Sequence, residues 1–264
     1  MTLNFYKYQG TGNDFIIIDN REGNISLSTK QVRKLCDRKF GIGADGLMLL
    51  QLKTGYDFEM IYFNADGKEG SMCGNGGRCL VKFAFDMGMR KSDFVFLATD
   101  GEHIAEINEQ GIVSLKMINV DGVQSDNGDL VLNTGSPHYI KQVADVNDMD
   151  VYHEGMGIRF SDTYCKEGIN VNFVQVKDDD ELIVRTYERG VEDETLSCGT
   201  GVTAAALAFY HNEMGYNNVT VHTRGGVLRV EYDRTGENEY RNIWLSGPAE
   251  RVFEGTVQLD LETV

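Results

Sequence analysis

Proline is almost missing from this chain, 2 residues in 264 against 30 glycines, so tight turns between short elements are expected rather than proline-rich linkers. The five cysteines (Cys36, Cys73, Cys79, Cys165, Cys198) are odd in number and contain no C-x-x-C, which argues against a disulfide framework and a zinc ribbon. No cluster of Lys or Arg relieves a formal net charge of −16, so nucleic acid is not an expected partner. Long apolar runs are missing too: Ile16-Ile17-Ile18 is far too short to span a bilayer. Met1-Thr2-Leu3-Asn4-Phe5 lacks a basic region followed by an apolar stretch. No membrane or export signal is therefore expected. The reducing cytoplasm is the expected location, and it would keep exposed thiols functional.

What is present is ordinary globular material, 41% hydrophobic and 25% charged, enough for one large core or two modest ones. Ser28 to Phe40 reads as a helix, with Ser28 and Gln31 as a capping box, Val32, Leu35, Cys36 and Phe40 on one face, and Gly41 just past the end. Gly41-Ile42-Gly43-Ala44-Asp45-Gly46 follows that helix instead of opening one, so a dinucleotide-binding loop fails on context and a turn into a strand at Leu47–Leu52 is expected. Residues 78–88 read as a helix with Arg78, Lys82 and Asp86 as its single polar stripe, and Val202–Tyr210 as a helix apolar almost all round. Most of the remainder alternates with period two. The expected class is α+β, two lobes of short strands around a buried helix, with a boundary near the polar run Asp121–Asp129.

The chain also repeats itself. Cys73-Gly74-Asn75-Gly76-Gly77 and Cys198-Gly199-Thr200-Gly201-Val202 each set a cysteine before a glycine-containing turn that opens into an apolar run. Tyr62 and Tyr187, and Glu69 and Glu194, match across the same register. A cysteine is usually a small buried hydrophobe, but a pair in matched context points to function. At a helix start, unpaired N–H groups and the macrodipole lower a thiol pKa from about 8.5 toward neutrality. The same N–H groups can hold a carboxylate, and glycines let it approach closely. Two such ends would flank one α-carbon with two sulfurs, one to remove the α-proton and one to return a proton to the other face, while the amides stabilise the enolate-like intermediate. This needs neither pyridoxal phosphate nor a metal, and no cofactor is expected. Cys36, Cys79 and Cys165 are assigned to packing.

With these residues in place the chain resembles the diaminopimelate epimerase family, cofactor-independent enzymes of bacterial lysine and peptidoglycan biosynthesis. The likeness runs through Gly10-Thr11-Gly12-Asn13-Asp14-Phe15, Phe63-Asn64-Ala65-Asp66-Gly67, Met72 to Cys79, Gly135-Ser136-Pro137-His138, Asn170-Val171, Tyr187-Glu188-Arg189-Gly190 and Cys198-Gly199-Thr200-Gly201. It implies two pseudo-symmetric lobes, each a barrel-like mixed sheet around a central helix, with the active site in the cleft. The lobes are expected at residues 1–120, joined by a C-terminal strand at 254–264, and at 121–253. Carried over by position, Cys73 and Cys198 are the acid/base pair. Gly74, Asn75, Gly199 and Thr200 supply amides to the reacting carboxylate. Asn13, Asn64, Asn170 and Arg189 anchor the substrate's two amino-acid ends, Glu188 accepts from an ammonium, and His138 with Glu188 tunes the thiols. The implied partner is small-molecule diaminopimelate, with a homodimer left open.

Three departures from the family pattern stand out. Gly46 replaces a glutamine that some members carry, Ser136 replaces a frequent asparagine, and Gly190–Thr195 is one residue longer than in several members. Rival readings are a racemase of another amino acid, such as histidine, on the same fold, and an isomerase of the phenazine-biosynthesis type, which would need a carboxylate base in place of the thiols. A thiol redox or zinc-binding protein is the rival from another class.

Overall fold

The computed structural model describes residues 2–209 and 213–259. The chain divides into two compact units, Met1–Leu115 with Pro248–Val264, and Lys116–Gly247. The expected helix end at Tyr210 and the last residues of the expected strand 254–264 lie outside the described residues.

The first unit begins with β1 (Thr2–Gly10) and β2 (Asn13–Asp19), an antiparallel hairpin turned at Thr11 and Gly12, both at positive φ. Helix α1 (Thr29–Cys36) crosses over to β3 (Gly46–Gln51), parallel to β2, and β4 (Phe58–Asn64) returns antiparallel. Helix α2 (Gly74–Asp86) crosses to β5 (Asp93–Ala98), parallel to β4, and β6 (Gly101–Ile107) and β7 (Val113–Lys116) follow as a meander.

In the second unit the short strands β8 (Val120–Asp121) and β9 (Gln124–Asp126) precede β10 (Asp129–Asn133) and β11 (Pro137–Gln142). Helix α3 (Val151–Arg159) crosses to β12 (Asn170–Asp178), parallel to β11, and β13 (Glu181–Glu188) returns antiparallel. After β14 (Asp193–Thr195), helix α4 (Gly199–Phe209) crosses to β15 (Gly215–Thr223), parallel to β13. The meander β16 (Gly226–Gly236) and β17 (Glu239–Gly247) follows. Strand β18 (Glu250–Gln258) belongs to the first unit and pairs antiparallel with β1. Each unit thus runs hairpin, parallel crossover, antiparallel return, second parallel crossover, meander. The architecture is a sheet-dominated mixed α/β fold with few helices.

The two crossovers in each unit differ in environment. Helix α2 touches β1, β2, β3, β6 and β18, and residues 75–81 are buried without a break. Helix α4 touches β10, β11, β12, β13, β15, β16 and β17. A helix enclosed by sheet has little solvent face to keep polar, which is why α4 reads as a nearly uniform apolar run and α2 keeps Lys82 and Asp86 partly outward. Helix α1, by contrast, buries only Val32, Leu35 and Cys36, against a layer that includes Phe5, Ile16, Ile18, Leu47 and Leu49.

Two expectations need correction. Helix α1 has the predicted Ser28/Gln31 capping box but ends at Cys36, not Phe40. The Asp37 carboxylate accepts the N–H groups of Lys39 and Phe40 at 2.7 and 2.8 Å, turning the chain out and leaving Phe40 81% exposed. Helix α2 begins four residues earlier than expected, so its glycines are helical, and Arg78 is wholly buried. Of the expected polar stripe, Lys82 and Asp86 remain as an i,i+4 ion pair.

Candidate functional site

In the first unit Cys73 is the N-cap of α2, with extended backbone, and its carbonyl accepts the Gly77 N–H at 2.7 Å to open the helix. Its thiol donates to Asn13 Oδ1 at 3.6 Å, and Asn75 Nδ2 reaches the same oxygen at 3.3 Å. The Asn13 amide is oriented from behind, since its Nδ2 donates to Asp45 Oδ2 at 2.7 Å. Arg38 bridges Asp45 and Asp14, and Lys7 pairs with Asp14 at 2.7 Å. Burial alone would raise the Asp14 carboxyl, but its Arg38 and Lys7 partners hold it well below the usual carboxylate range. The turn that presents Asn13 is therefore fixed by ionised groups.

Arg78 lies beneath this group. Its Nη2 donates to Asn75 Oδ1 at 2.9 Å and to Thr11 Oγ1 at 3.3 Å, and Nη1 to the Gly74 carbonyl at 3.5 Å. Among the described residues it has no carboxylate partner, and its Nε has no acceptor. Burial pushes its pKa down, with Cys79 and Cys73 opposing, yet a guanidinium stays charged in proteins. Asn64 closes the turn after β4, where Gly67 N–H donates to its carbonyl, and stands opposite Gly46 in the β3–β4 register. It lies at the sheet end where Asn13 begins β2. A Cβ at Gly46 would come within 2.5 Å of the Tyr62 ring and 2.8 Å of the Phe63 carbonyl, so a glutamine there would displace both.

In the second unit the Cys198 carbonyl accepts the Val202 N–H at 2.9 Å, opening α4 as Cys73 opens α2. The strand leading to it is held by Arg185, whose guanidinium forks onto Glu194 at 2.7 and 2.8 Å. Cys198 Sγ lies 3.5 Å from Thr200 Oγ1, which lies 3.3 Å from Ser136 Oγ. Ser136 Oγ in turn is 3.0 Å from His138 Nε2 and accepts Asn170 Nδ2 at 3.0 Å. His138 is wholly buried, with Asn172 Nδ2 against its Nδ1 at 3.0 Å. Burial, then the charge of Arg189, pushes its pKa down to about 3, so it is a neutral imidazole.

Asn170 has its side chain committed inside the protein. Its Nδ2 reaches Ser136 and the Pro137 carbonyl, and its Oδ1 accepts the Arg189 backbone N–H at 2.9 Å. Arg189 is exposed just beyond β13 and reaches the Glu167 carbonyl with Nη1, and Glu188 is the last residue of that strand. The remaining cysteines divide. Cys36 and Cys79 are buried, and burial raises each thiol pKa to about 12, whereas Cys165 is exposed and not part of the core. Among the described residues no cluster of three or more His, Cys, Asp or Glu could hold a metal ion, and no helix is long and apolar enough to cross a membrane.

Sequence reasoning missed Arg78, Asn172 and Asp45. For Asn172 a signal existed: Asn170-Val171-Asn172 in a strand puts two amides on one face, with Val171 on the other. Arg78 carried none, because a polar residue at helical spacing reads as solvent-facing.

A family model described as "Diaminopimelate epimerase" matches residues 5–121 and 130–252. A diaminopimelate epimerase from Flavobacterium psychrophilum is 50% identical over 261 residues, covering 97% of this chain and 100% of the relative. One from Chlorobaculum tepidum is 44% identical, covering 95% and 99%. Among solved structures, a Bacillus anthracis phenazine biosynthesis protein of the PhzF family superposes with a TM-score of 0.76 at 16% identity, covering 98% of this chain and 100% of that one. A hydroxyproline epimerase from Agrobacterium vitis gives 0.67 at 14%, covering 99% and 94%. At such identities these two speak to the fold alone. Matched over most of its length by the family model and half identical to a full-length relative, the chain belongs to the diaminopimelate epimerase family.

Proposed function

We propose that the chain interconverts LL- and meso-diaminopimelate, a step of lysine and peptidoglycan biosynthesis, by a two-base mechanism in which Cys73 and Cys198 address opposite faces of one α-carbon. The observation that carries this reading is that each cysteine opens a sheet-enclosed helix with a glycine in its first turn. The first-turn amides of Gly74, Asn75, Gly199 and Thr200 hold the reacting carboxylate and take up charge as the α-proton leaves. One thiolate removes the proton, the other thiol delivers one to the far face, and the stereocentre inverts. Arg189 grips the distal carboxylate through its fork of N–H donors, and Glu188 accepts from an ammonium. Asn13 and Asn64 contact the substrate's polar ends, whereas Asn170 contributes by holding the Arg189 backbone. Pyridoxal phosphate and metal have no role in this scheme.

The test is exchange in D2O followed by NMR. Cys73→Ala and Cys198→Ala should each abolish epimerisation, since one face loses its proton carrier. The remaining thiolate should still wash out the α-proton of the isomer facing it, so the two variants should prefer different isomers. If both exchange the same isomer, or either interconverts the two at the wild-type rate, the two-thiol mechanism is wrong.

A further inference from the structure

The hydrogen bonds around Cys198 have a direction that can be read off atom by atom. Asn172 Nδ2 lies 3.1 Å from the Tyr139 carbonyl, which can only accept, and Asn172 Oδ1 receives the Thr186 hydroxyl at 2.9 Å. The amide is thereby oriented, and its nitrogen donates to His138 Nδ1. A histidine that accepts at Nδ1 carries its proton at Nε2, so His138 donates to Ser136 Oγ. Asn170 is oriented the same way, its Nδ2 facing the Pro137 carbonyl, and it also donates to Ser136 Oγ. Ser136 thus receives two donors, and among the described residues its own proton has one remaining partner, Thr200 Oγ1. Having accepted from Ser136, the Thr200 hydroxyl directs its proton at Cys198 Sγ. Every link points toward the sulfur.

We propose that Thr200 and Ser136, aligned by the buried pair His138 and Asn172, form a one-way donor relay that keeps Cys198 as the resting thiolate of the free enzyme. The proposal rests on the reading of Cys198 as a reacting thiol and goes beyond it by assigning positioning roles to Ser136 and Asn172 and a side-chain role to Thr200. A hydroxyl compelled to donate favours the anion, because a thiol proton would have to find another acceptor. His138 in this scheme never takes up or gives up a proton. It aims Ser136. The relay also explains Gly201, since a Cβ there would lie 2.3 Å from Asn172 Oδ1 and 3.3 Å from the His138 ring.

The test measures the thiol directly, without turnover. In a Cys73→Ala background, alkylation of Cys198 by iodoacetamide is followed against pH by peptide mass spectrometry, with exposed Cys165 as the internal reference. Cys198 should react at lower pH than Cys165. Thr200→Val should move the Cys198 half-reaction point up by about one pH unit, near tenfold slower labelling at neutral pH. Ser136→Ala should shift it the same way by less, and Thr200→Ser should restore it. Labelling of Cys165 should not change. A Cys198 profile unmoved by Thr200→Val, or one coincident with Cys165 before any change, overturns the relay. Failure of the two-thiol mechanism would appear separately, as retained epimerisation in the Cys198→Ala enzyme.

Discussion

Asn13 and Asn170 show that one residue type can be put to opposite uses. Asn13 turns an acceptor toward Cys73 and Asn75 because Asp45 holds its other end, whereas Asn170 spends both amide hydrogens and its oxygen on the protein itself. Arg189 is placed by its backbone, through the Asn170 bond, and in the proposed reading the rest of its guanidinium serves the substrate. Arg189→Lys should therefore lower kcat/KM with diaminopimelate by roughly 10- to 100-fold, since an ammonium cannot reproduce two parallel hydrogen bonds. Wild-type kcat/KM in a steady-state assay would remove Arg189 from the distal carboxylate. At this scale the cysteines and glycines were legible in the sequence because they recur in register. Arg78 and Asn172 were not, because their roles depend on partners brought together by the fold: Asn172 meets His138 across 34 residues of chain, and Arg78 meets Thr11 across 67. A buried arginine satisfied by amides and hydroxyls has the sequence signature of an exposed one.

Among elements, the glycines of two helices make a controlled comparison. Gly201 sits in the first turn of α4 with no room for a methyl group, while nothing lies within 4 Å of the Cβ position of Gly157 in α3. Gly201→Ala should cost about 1–3 kcal/mol, because the atom in its way belongs to an amide already fixed by three bonds. Gly157→Ala should instead stabilise by about 0.5–1 kcal/mol through helix propensity and a less disordered unfolded chain. Urea denaturation of both variants checks the signs, and a stabilised Gly201→Ala would mean that α4 is free to move away from β12. Element type was legible where periodicity was strong, as in the alternating strands and the α1 capping box. Element ends were not, since α1 stops where the Asp37 carboxylate competes for backbone N–H groups. The start of α2 was obscured by glycines, which read as a turn until the fold encloses them.

For the molecule as a whole, the buried His138 makes folding sensitive to acid. Unfolded, its imidazole protonates near 6.5, whereas in the folded chain burial and the Arg189 charge lower that value to about 3. Between these values the unfolded state binds a proton that the folded state refuses. This part of the stability is complete above pH 6.5 and falls with pH, by about 1.4 kcal/mol per unit, until the folded pKa is reached. His138→Gln should be less stable than wild type at pH 7 but should lose less on acidification, so the two melting-temperature curves should converge between pH 6 and 4. Parallel curves would mean that His138 titrates normally. The closing strand has a consequence of another kind. Unit 2 is one unbroken stretch of chain, but β1 pairs with β18 from Thr2–Gln258 to Gln9–Glu250, so β1 finds this neighbour only after the whole of unit 2 has intervened. During translation that edge of β1 waits uncovered until Glu250–Gln258 have been made. A ribosome stalled before Glu250 would therefore carry a second unit with all its strands and a first unit with an open, aggregation-prone seam.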